Sequence, residues 1–430
     1  RQWFSMRWLY RYALVDTKRG RFMAIDFTFP EEVEDARLLV KKFMQETVQP
    51  RMTELRDSKA SGDTWRIAIK ELRDTARQQG LWNPHMPEEW DGMGLGITAV
   101  AAMSAEAVKT PYGPYLINCQ APDEGNMHTM LHFGTEEQKE KWLRPLCEGT
   151  ARSCFSMTEP EVAGSDPTQI QTSAVKDGDE WVINGHKWFT SGAHGADFAI
   201  VIAKTDPDAE IAQARNSAFI VPTDTPGFEI VRDVQTMGGG GGHPELRYND
   251  VRVPLENMLG EQGGGHKLGQ VRLGPARLAH CMRWIGQIEQ ALEMLVDRAQ
   301  KRYAHGSVLS EKQGIQWMMA ESALELYSSK LMVLHAAYKI ENEMDFRAEV
   351  SMAKHHVANT LWKTVDRALQ VHGALGYSND SPLANMLINA RWARIADGSD
   401  EVHLMRIADM VIRSYNETGS VNHAVGDLPL

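Results

Sequence analysis

Cysteine is scarce in this 430-residue sequence, which holds four: Cys119, Cys147, Cys154 and Cys281. Their spacing matches neither a zinc site nor a disulfide scaffold, so no metal is expected and a reducing compartment suits the chain. Positive charge is also short, with 46 Lys and Arg against 57 Asp and Glu and a formal charge of -11 at pH 7. A nucleic-acid-binding surface needs a basic stripe to displace counterions, and no sustained one is present, which argues against that class of partner. Long apolar runs are missing too. Nothing approaches the roughly 20 residues that a membrane-spanning helix needs, so no integral membrane segment is expected. No internal repeat is evident, and the one low-complexity stretch, Gly238 to Gly242, reads as a mobile loop ahead of a phosphate cradle.

What is present is an ordinary globular composition, 43% hydrophobic, with chain enough for two or three domains. Residues 1–22 stand apart: Arg1, Arg7, Arg11, Lys18, Arg19 and Arg21 alternate with Trp3, Phe4, Trp8, Leu9 and Tyr10, and Asp16 is the one acid. They read as a basic extension ahead of a start at Met23, outside the fold, with a targeting or membrane-surface segment as the alternative. Ile25-Asp26-Phe27 then begins the folded part. From 23 to 150 the apolar residues follow helical spacing, as in Val33, Ala36, Leu39, Val40 and Phe43, with breaks at Pro50, Gly80 and Pro87 to Gly96. From 151 to 262 the texture changes to short apolar runs, Trp181 to Ile183, Phe198 to Ile202 and Ala218 to Val221, which predict a β domain. Hairpins or a small barrel are expected there, since no helix-length crossovers separate the strands. From 263 to 430 helical spacing returns with Ile285, Ile288, Leu292, Leu295 and Ala299 and continues through Leu361, Val365 and Leu369 to Ile412. The expected class is α+β, mainly α.

Several motifs carry chemistry only in combination. Cys154-Phe155-Ser156-Met157-Thr158-Glu159-Pro160, followed by Ala163-Gly164-Ser165-Asp166, is a loop whose amides and hydroxyls can hydrogen-bond the edge of a flat heterocycle. Asn184-Gly185-His186-Lys187-Trp188-Phe189-Thr190-Ser191-Gly192 is, taken singly, an aromatic-rich strand. Arg302-Tyr303-Ala304-His305-Gly306 carries an arginine whose planar fork suits a diphosphate. Gln313 and Gln370-Val371-His372-Gly373-Ala374-Leu375-Gly376-Tyr377 add glycines that permit close backbone approach to a ligand. Arg394-Ile395-Ala396-Asp397-Gly398-Ser399-Asp400-Glu401-Val402-His403 would alone be a solvated turn or a helix start.

Taken in order, with Gly134 to Lys139 and Asp250 to Pro254, these motifs resemble the flavin-dependent acyl-CoA dehydrogenase family over nearly everything from Met23 onward. Asn118 to Met127, Gly274-Pro275-Ala276-Arg277 and Cys281-Met282-Arg283 are similar to one branch, that of the tenth and eleventh human family members and their bacterial relatives. The phosphotransferase-like region of those human members is not among these 430 residues.

The resemblance implies an N-terminal helical domain (23–150), a middle β-barrel domain (151–262) and a C-terminal four-helix-bundle domain (263–430). It implies FAD, with Phe155, Met157 and Thr158 at the flavin edge. Phe189 would lie beside the ring and Ser191 near its N5, while a shift of one residue would give those places to Trp188 and Thr190. Arg302, Gln313, Gln370, Val371, Gly373 and Ala374 are implied contacts to the FAD of a neighbouring subunit, so a homodimer or homotetramer is expected. His305 stands where the family usually has phenylalanine. Ser399 and Glu401 fall at FAD-contact positions, Glu401 in place of a common glutamine. Ser165 is implied on the CoA portion of the substrate and Arg277 at the acyl pocket entrance.

Asp397 stands where the family usually carries a glutamate. It is the implied base that takes the α-proton of an acyl-CoA while the β-hydrogen leaves as hydride to flavin N5. The other base position known in the family precedes Arg277 and is Ala276 here, which cannot ionise. Substrate burial is expected to raise the Asp397 pKa, and its backbone amide, with a flavin ribityl hydroxyl, to stabilise the developing enolate. The short side chain leaves room for a bulkier or substituted acyl chain.

The acyl group stays open between long-chain and 4-hydroxy or 4-phospho forms, with electron-transferring flavoprotein as the expected electron acceptor. The same aspartate base suits a nitroalkane-oxidase-like flavoenzyme, and the Asp-for-Glu and Glu-for-Gln departures leave open a catalytically silent flavin-binding paralogue. The compartment implied is the cytoplasm in a bacterium, with the mitochondrion or peroxisome as alternatives in a eukaryote.

Overall fold

The computed structural model of the protein describes residues 28–426. The expected extension at 1–22, the start at Met23 and Ile25-Asp26-Phe27 lie outside the described residues. Helix α1 (Glu31–Phe43) buries Val33, Ala36, Val40 and Phe43 on one face, the stripe that a 3.6-residue period dictates. Pro50 does not break the helical path as expected. A π-helical turn over Met44–Val48 leads into a helix over Gln49–Asp57, and Pro50 stands in its first turn, where no amide donor is required. Helices α2 (Gly62–Gln78), α3 (Ile97–Ala107) and α4 (Asp123–Phe133) follow.

Eight strands then form one sheet: β1 (Ser153–Ser156), β2 (Ser173–Asp177), β3 (Glu180–Lys187), β4 (Phe198–Lys204), β5 (Asn216–Pro222), β6 (Phe228–Asp233), β7 (Pro244–Pro254) and β8 (Met258–Leu259). Their order is β6-β7-β3-β2-β4-β5-β8, with β1 paired to β4. The β2–β3, β3–β7, β4–β5, β5–β8 and β6–β7 ladders are antiparallel, but β1 runs parallel to β4. The sheet is therefore mixed where hairpins were expected. The β2–β3 hairpin fills the connection from β1 to β4 and supplies the length a parallel return needs.

The chain returns to helix in α5 (Gly265–Lys301), α6 (Gln313–Glu341), α7 (Arg347–His372), α8 (Leu383–Ala393) and α9 (Asp400–Thr418). Helix α7 packs on α5, α6 and α9. The two helical blocks share one core, in which Val40, Phe43, Leu72 and Met103 lie with Leu278, Ile285, Leu361 and Val365. A second core joins Met127, Met130 and Leu146 to Phe198, Ile200 and Ile220 of the sheet. Each such side chain stabilises the fold by about 1.5–3 kcal/mol on burial. Together the two cores fix the start of α5 between α4 and the end of β1. Among the described residues no helix is long and apolar enough to cross a membrane.

Candidate active site

Asp397 lies in the turn between α8 and α9 at φ +55°, and Gly398 follows at φ +103°. Both are left-handed positions. A Cβ on residue 398 would stand 2.8 Å from His403 Nε2, so glycine suits it twice over. Aspartate accepts the left-handed region better than most residues, because its short polar side chain can bond locally. Two cations hold the turn by its carbonyls: Arg277 Nε of α5 donates to Asp397 O at 2.7 Å, and Lys354 Nζ of α7 donates to Gly398 O at 2.6 Å. Asp400, at the start of α9, accepts from Arg394 Nε at 2.7 Å and Asn359 Nδ2 at 3.2 Å. The turn that looked solvated in the sequence is thus anchored to α5 and α7.

One helical turn beyond Arg277, His280 places Nε2 3.2 Å from Asp397 Oδ2. Its Nδ1 faces Arg283 Nη2 at 3.3 Å, and Arg283 Nη1 is in turn held by Glu124 Oε2 of α4 at 2.7 Å. The imidazole stacks on Trp284 at 5.6 Å between centroids and meets Trp392 edge-on at 5.3 Å. Arg272, a buried residue on α5, donates from Nε to Asn126 Oδ1 at 3.1 Å and lies 4.0 Å from the centroid of the Phe155 ring. Gly125 leaves it that space, since a Cβ there would fall 3.1 Å from Arg272 Cζ. Among the described residues no ion pair ties Arg272 to a carboxylate.

Burial works to raise the Asp397 pKa. The hydrogen bond from His280, with the charges of Arg272 and Arg277, outweighs it and holds the carboxyl well below the usual carboxylate range. Asp397 is therefore ionised.

Phe155, Met157 and Thr158, at and just beyond the end of β1, are each half-buried. Thr158 O accepts from Trp188 N at 3.0 Å, which lays this loop beside residues 188–191. Phe189, at φ +50°, leaves its side chain 40% exposed, and Ser191 Oγ bonds His243 Nδ1 at 2.7 Å. Thr190 points the other way. It is fully buried, with Oγ1 3.4 Å from Ser156 Oγ, which Tyr248 OH also reaches at 2.9 Å. The Thr190 hydroxyl, expected with the cofactor-binding set, is thus in the sheet core, because the chain has left β3 at Lys187 and turns at Phe189, which faces Thr190 inward.

Beneath the loop, Lys187 Nζ donates to Glu159 Oε1 at 2.9 Å and to Met157 O at 2.7 Å, while Glu159 accepts from the amides of Gln171 and Thr172 at 2.7 and 2.9 Å. Trp188 Nε1 is buried without a partner. A partly open phenyl ring, a half-buried thioether and hydroxyls around an unpartnered indole N–H make a surface that fits the flavin the resemblance implies.

The other expected contacts lie elsewhere. Ser165 is exposed in the turn before Asp166. Arg302 ends α5 and is exposed, about 33 Å along the helix from His280 at 1.5 Å per residue. Leu309 N donates to Arg302 O at 2.8 Å in the short connection that leads to Gln313, the first residue of α6. Gln370 stands about 24 Å along α7 from Lys354. Gln370, Gly373 and Ala374 are exposed at that end, while Val371 turns into the core. Ser399 precedes α9, and Glu401 is exposed in its first turn, where a carboxylate complements the helix dipole. One chain therefore brings Asp397, Arg277 and the Phe155 face together, but not Arg302, Gln313 and Gln370.

Four residues of the site were not singled out by sequence reasoning: Arg272, His280, Glu124 and Lys354. For three of them a signal existed. Arg272, His280 and Arg283 are ionisable residues on the stretch of α5 that also buries Leu278, Cys281, Met282 and Ile285, and Glu124 is the carboxylate that α4 offers them. Lys354 carries no such mark.

Models of the acyl-CoA dehydrogenase N-terminal, middle and C-terminal domains match residues 30–150, 154–251 and 263–412. The chain is 41% identical over 394 residues to FadE2 of Mycobacterium tuberculosis, named as an acyl-CoA dehydrogenase, over 89% of this chain and 96% of that protein. It is 41% identical over 389 residues to acyl-CoA dehydrogenase family member 11 of Gallus gallus, over 87% of this chain and 50% of the relative, so it spans half the length of that protein. A solved structure from Mycobacterium abscessus, assigned to the same enzyme class, matches with a TM-score of 0.85 at 36% identity, over 90% of this chain and 100% of the other.

Proposed function

This chain belongs to the acyl-CoA dehydrogenase family, flavin-dependent oxidoreductases of fatty-acid metabolism, and on that premise we propose that it dehydrogenates an acyl-CoA thioester between its α and β carbons, with Asp397 as the base. The observation that carries the reading is one ionised carboxylate held against α5, on a turn whose two carbonyls are fixed by Arg277 and Lys354. In this reading Asp397 takes the α-proton. The acyl-CoA, by displacing water from the carboxylate, raises its proton affinity from the low value of the free chain.

Phe155, Met157, Thr158, Phe189 and Ser191 hold FAD, which supplies the acceptor for the β-hydride. Arg302, Gln313, Gln370, Gly373 and Ala374, tens of ångströms away in the same chain, serve the flavin of a second subunit in a homodimer or homotetramer. Ser165 takes the CoA portion, and an electron-transferring flavoprotein reoxidises the enzyme. The buried guanidinium of Arg272, which forms no close ion pair and has Asp397 and Glu124 only as more distant counter-charges, favours an acyl chain bearing an anion, such as a 4-phospho group, over a plain long chain.

The test is flavin bleaching without oxygen by a panel of long-chain, 4-hydroxy and 4-phospho acyl-CoAs and a nitroalkane. The 4-phospho thioester is expected to bleach fastest. Asp397→Asn is expected to keep its FAD and slow the reaction by about 10²–10⁴-fold. Unchanged bleaching in that variant, or bleaching by the nitroalkane alone, would sink the reading.

A further inference from the structure

The pair formed by His280 and Asp397 has a built-in orientation. A guanidinium can only donate, so Arg283 Nη2, at 3.3 Å from His280 Nδ1, makes Nδ1 the acceptor. The ring proton then belongs on Nε2, the nitrogen 3.2 Å from Asp397 Oδ2. Nothing in this arrangement is loose. Arg283 is fixed by Glu124, and the imidazole packs against both Trp284 and Trp392, which also meet each other. The backbone of Asp397 is separately fixed through its carbonyl by Arg277, so the side-chain rotations remain, and the contact with His280 restricts them.

We infer that His280 is a positioning residue for the base: it donates from Nε2 to Asp397 Oδ2, holds the carboxylate in one rotation and leaves Oδ1 as the oxygen that takes the α-proton. The inference rests on Asp397 being the base. The α C–H bond breaks, its electron pair stays with the α-carbon and its proton forms a bond to Oδ1. His280 keeps its own proton throughout and does not enter the balance. A single fixed oxygen presented to the substrate shortens the search for a reactive geometry.

The groups around the carboxylate are Arg272, Arg277 and His280 from α5, Lys354 from α7, and His403 and Asp400 from α9, with Glu124 of α4 acting through Arg283. The cations among them are fixed charges that remain when His280 is replaced. Loss of the His280 hydrogen bond can therefore be read by itself.

The test compares the pH dependence of anaerobic flavin reduction by the best acyl-CoA in the wild-type holoenzyme, His280→Phe, His280→Gln and Asp397→Asn. Phenylalanine keeps a ring against the two tryptophans and removes the donor. Its reduction rate is expected to need a higher pH, with the acid limb moved up by about one pH unit or more, the worth of one hydrogen bond to a charged group. Glutamine, which can donate from its amide, is expected to restore the limb toward its wild-type position.

The nitrogen-15 spectrum of the His280 imidazole in the wild-type holoenzyme gives a readout independent of turnover, with a proton on Nε2 and none on Nδ1 expected. An acid limb and plateau rate unchanged in His280→Phe, or a ring protonated on Nδ1, overturns the inference while leaving Asp397 as the base. Retained turnover in Asp397→Asn overturns the base assignment itself. Should His280→Phe lose its FAD, the glutamine variant and the imidazole spectrum decide.

Discussion

At the scale of single residues, the base turn combines two left-handed positions with three groups that fix it, and each contributes something different. Arg277 and Lys354 determine where the backbone lies, and the glycine determines whether that path is allowed at all. Replacing Gly398 with alanine puts a Cβ 2.8 Å from His403 Nε2 at φ +103°. The expected cost is about 1–3 kcal/mol in urea unfolding, together with a fall in kcat, because Asp397 moves with its neighbour. A variant with wild-type midpoint and kcat would mean that the turn relaxes without strain. The Asp-Gly pair did announce a turn in the sequence. Its burial was not announced, since that depends on Lys354 and Arg277, which stand 43 and 120 residues away from Asp397 along the chain.

Among elements, the helices were the most legible part. The spacing of Val33, Ala36, Val40 and Phe43 records a buried face directly, as does that of Ile285, Ile288, Leu295 and Ala299, because each helix packs along one stripe. The strands were legible as runs but not in their pairing, since the parallel β1–β4 ladder joins residues about 45 apart with no local period to mark them. The register of residues 188–191 shows the same limit, because it is the left-handed turn at Phe189, just past the end of β3, that separates Thr190 from Ser191.

The Glu159–Lys187 pair links two of the motifs that were read separately, and it is nearly solvent-free. Burial brings the Lys187 pKa down to about 8, with Glu159 opposing the shift. Lys187→Met leaves the carboxylate buried and unpaired, for an expected loss of about 3–5 kcal/mol in chemical denaturation. FAD should also be retained less well on gel filtration, as Met157 loses its carbonyl contact. Full stability and full flavin content in the variant would show that the pair is dispensable to the loop.

Over the whole molecule, buried histidines give stability an acid-sensitive component. Burial lowers His128 to about 3 and His403 to about 4, both from 6.5, and lowers His85 as well. Between those folded values and 6.5 the unfolded chain binds protons that the folded chain refuses, so stability rises with pH across this window and is lost on acidification. Glu124 adds to the loss at lower pH. Burial pushes its pKa up, but Arg283, His85 and His128 hold it at about 2 against 4.5, so its contribution disappears as pH falls from 4.5 toward 2. Urea midpoints are expected to be flat between pH 6.5 and about 8, where Lys187 begins to titrate, to decline below 6.5 and to steepen below 4.5. A midpoint constant down to pH 4.5 would contradict the assignment of these histidines as neutral in the folded state.

The core shared by the two helical blocks also sets a schedule for synthesis. Val40, Phe43, Leu72 and Met103 share their core with Leu278, Ile285, Leu361 and Val365, and the sheet is made in between. On the ribosome the first helices can pack on one another as they emerge, but the faces that meet α5 and α7 stay open until those helices have been translated. The β domain can form its ladders while they wait. The later helices thus close the structure begun by the first.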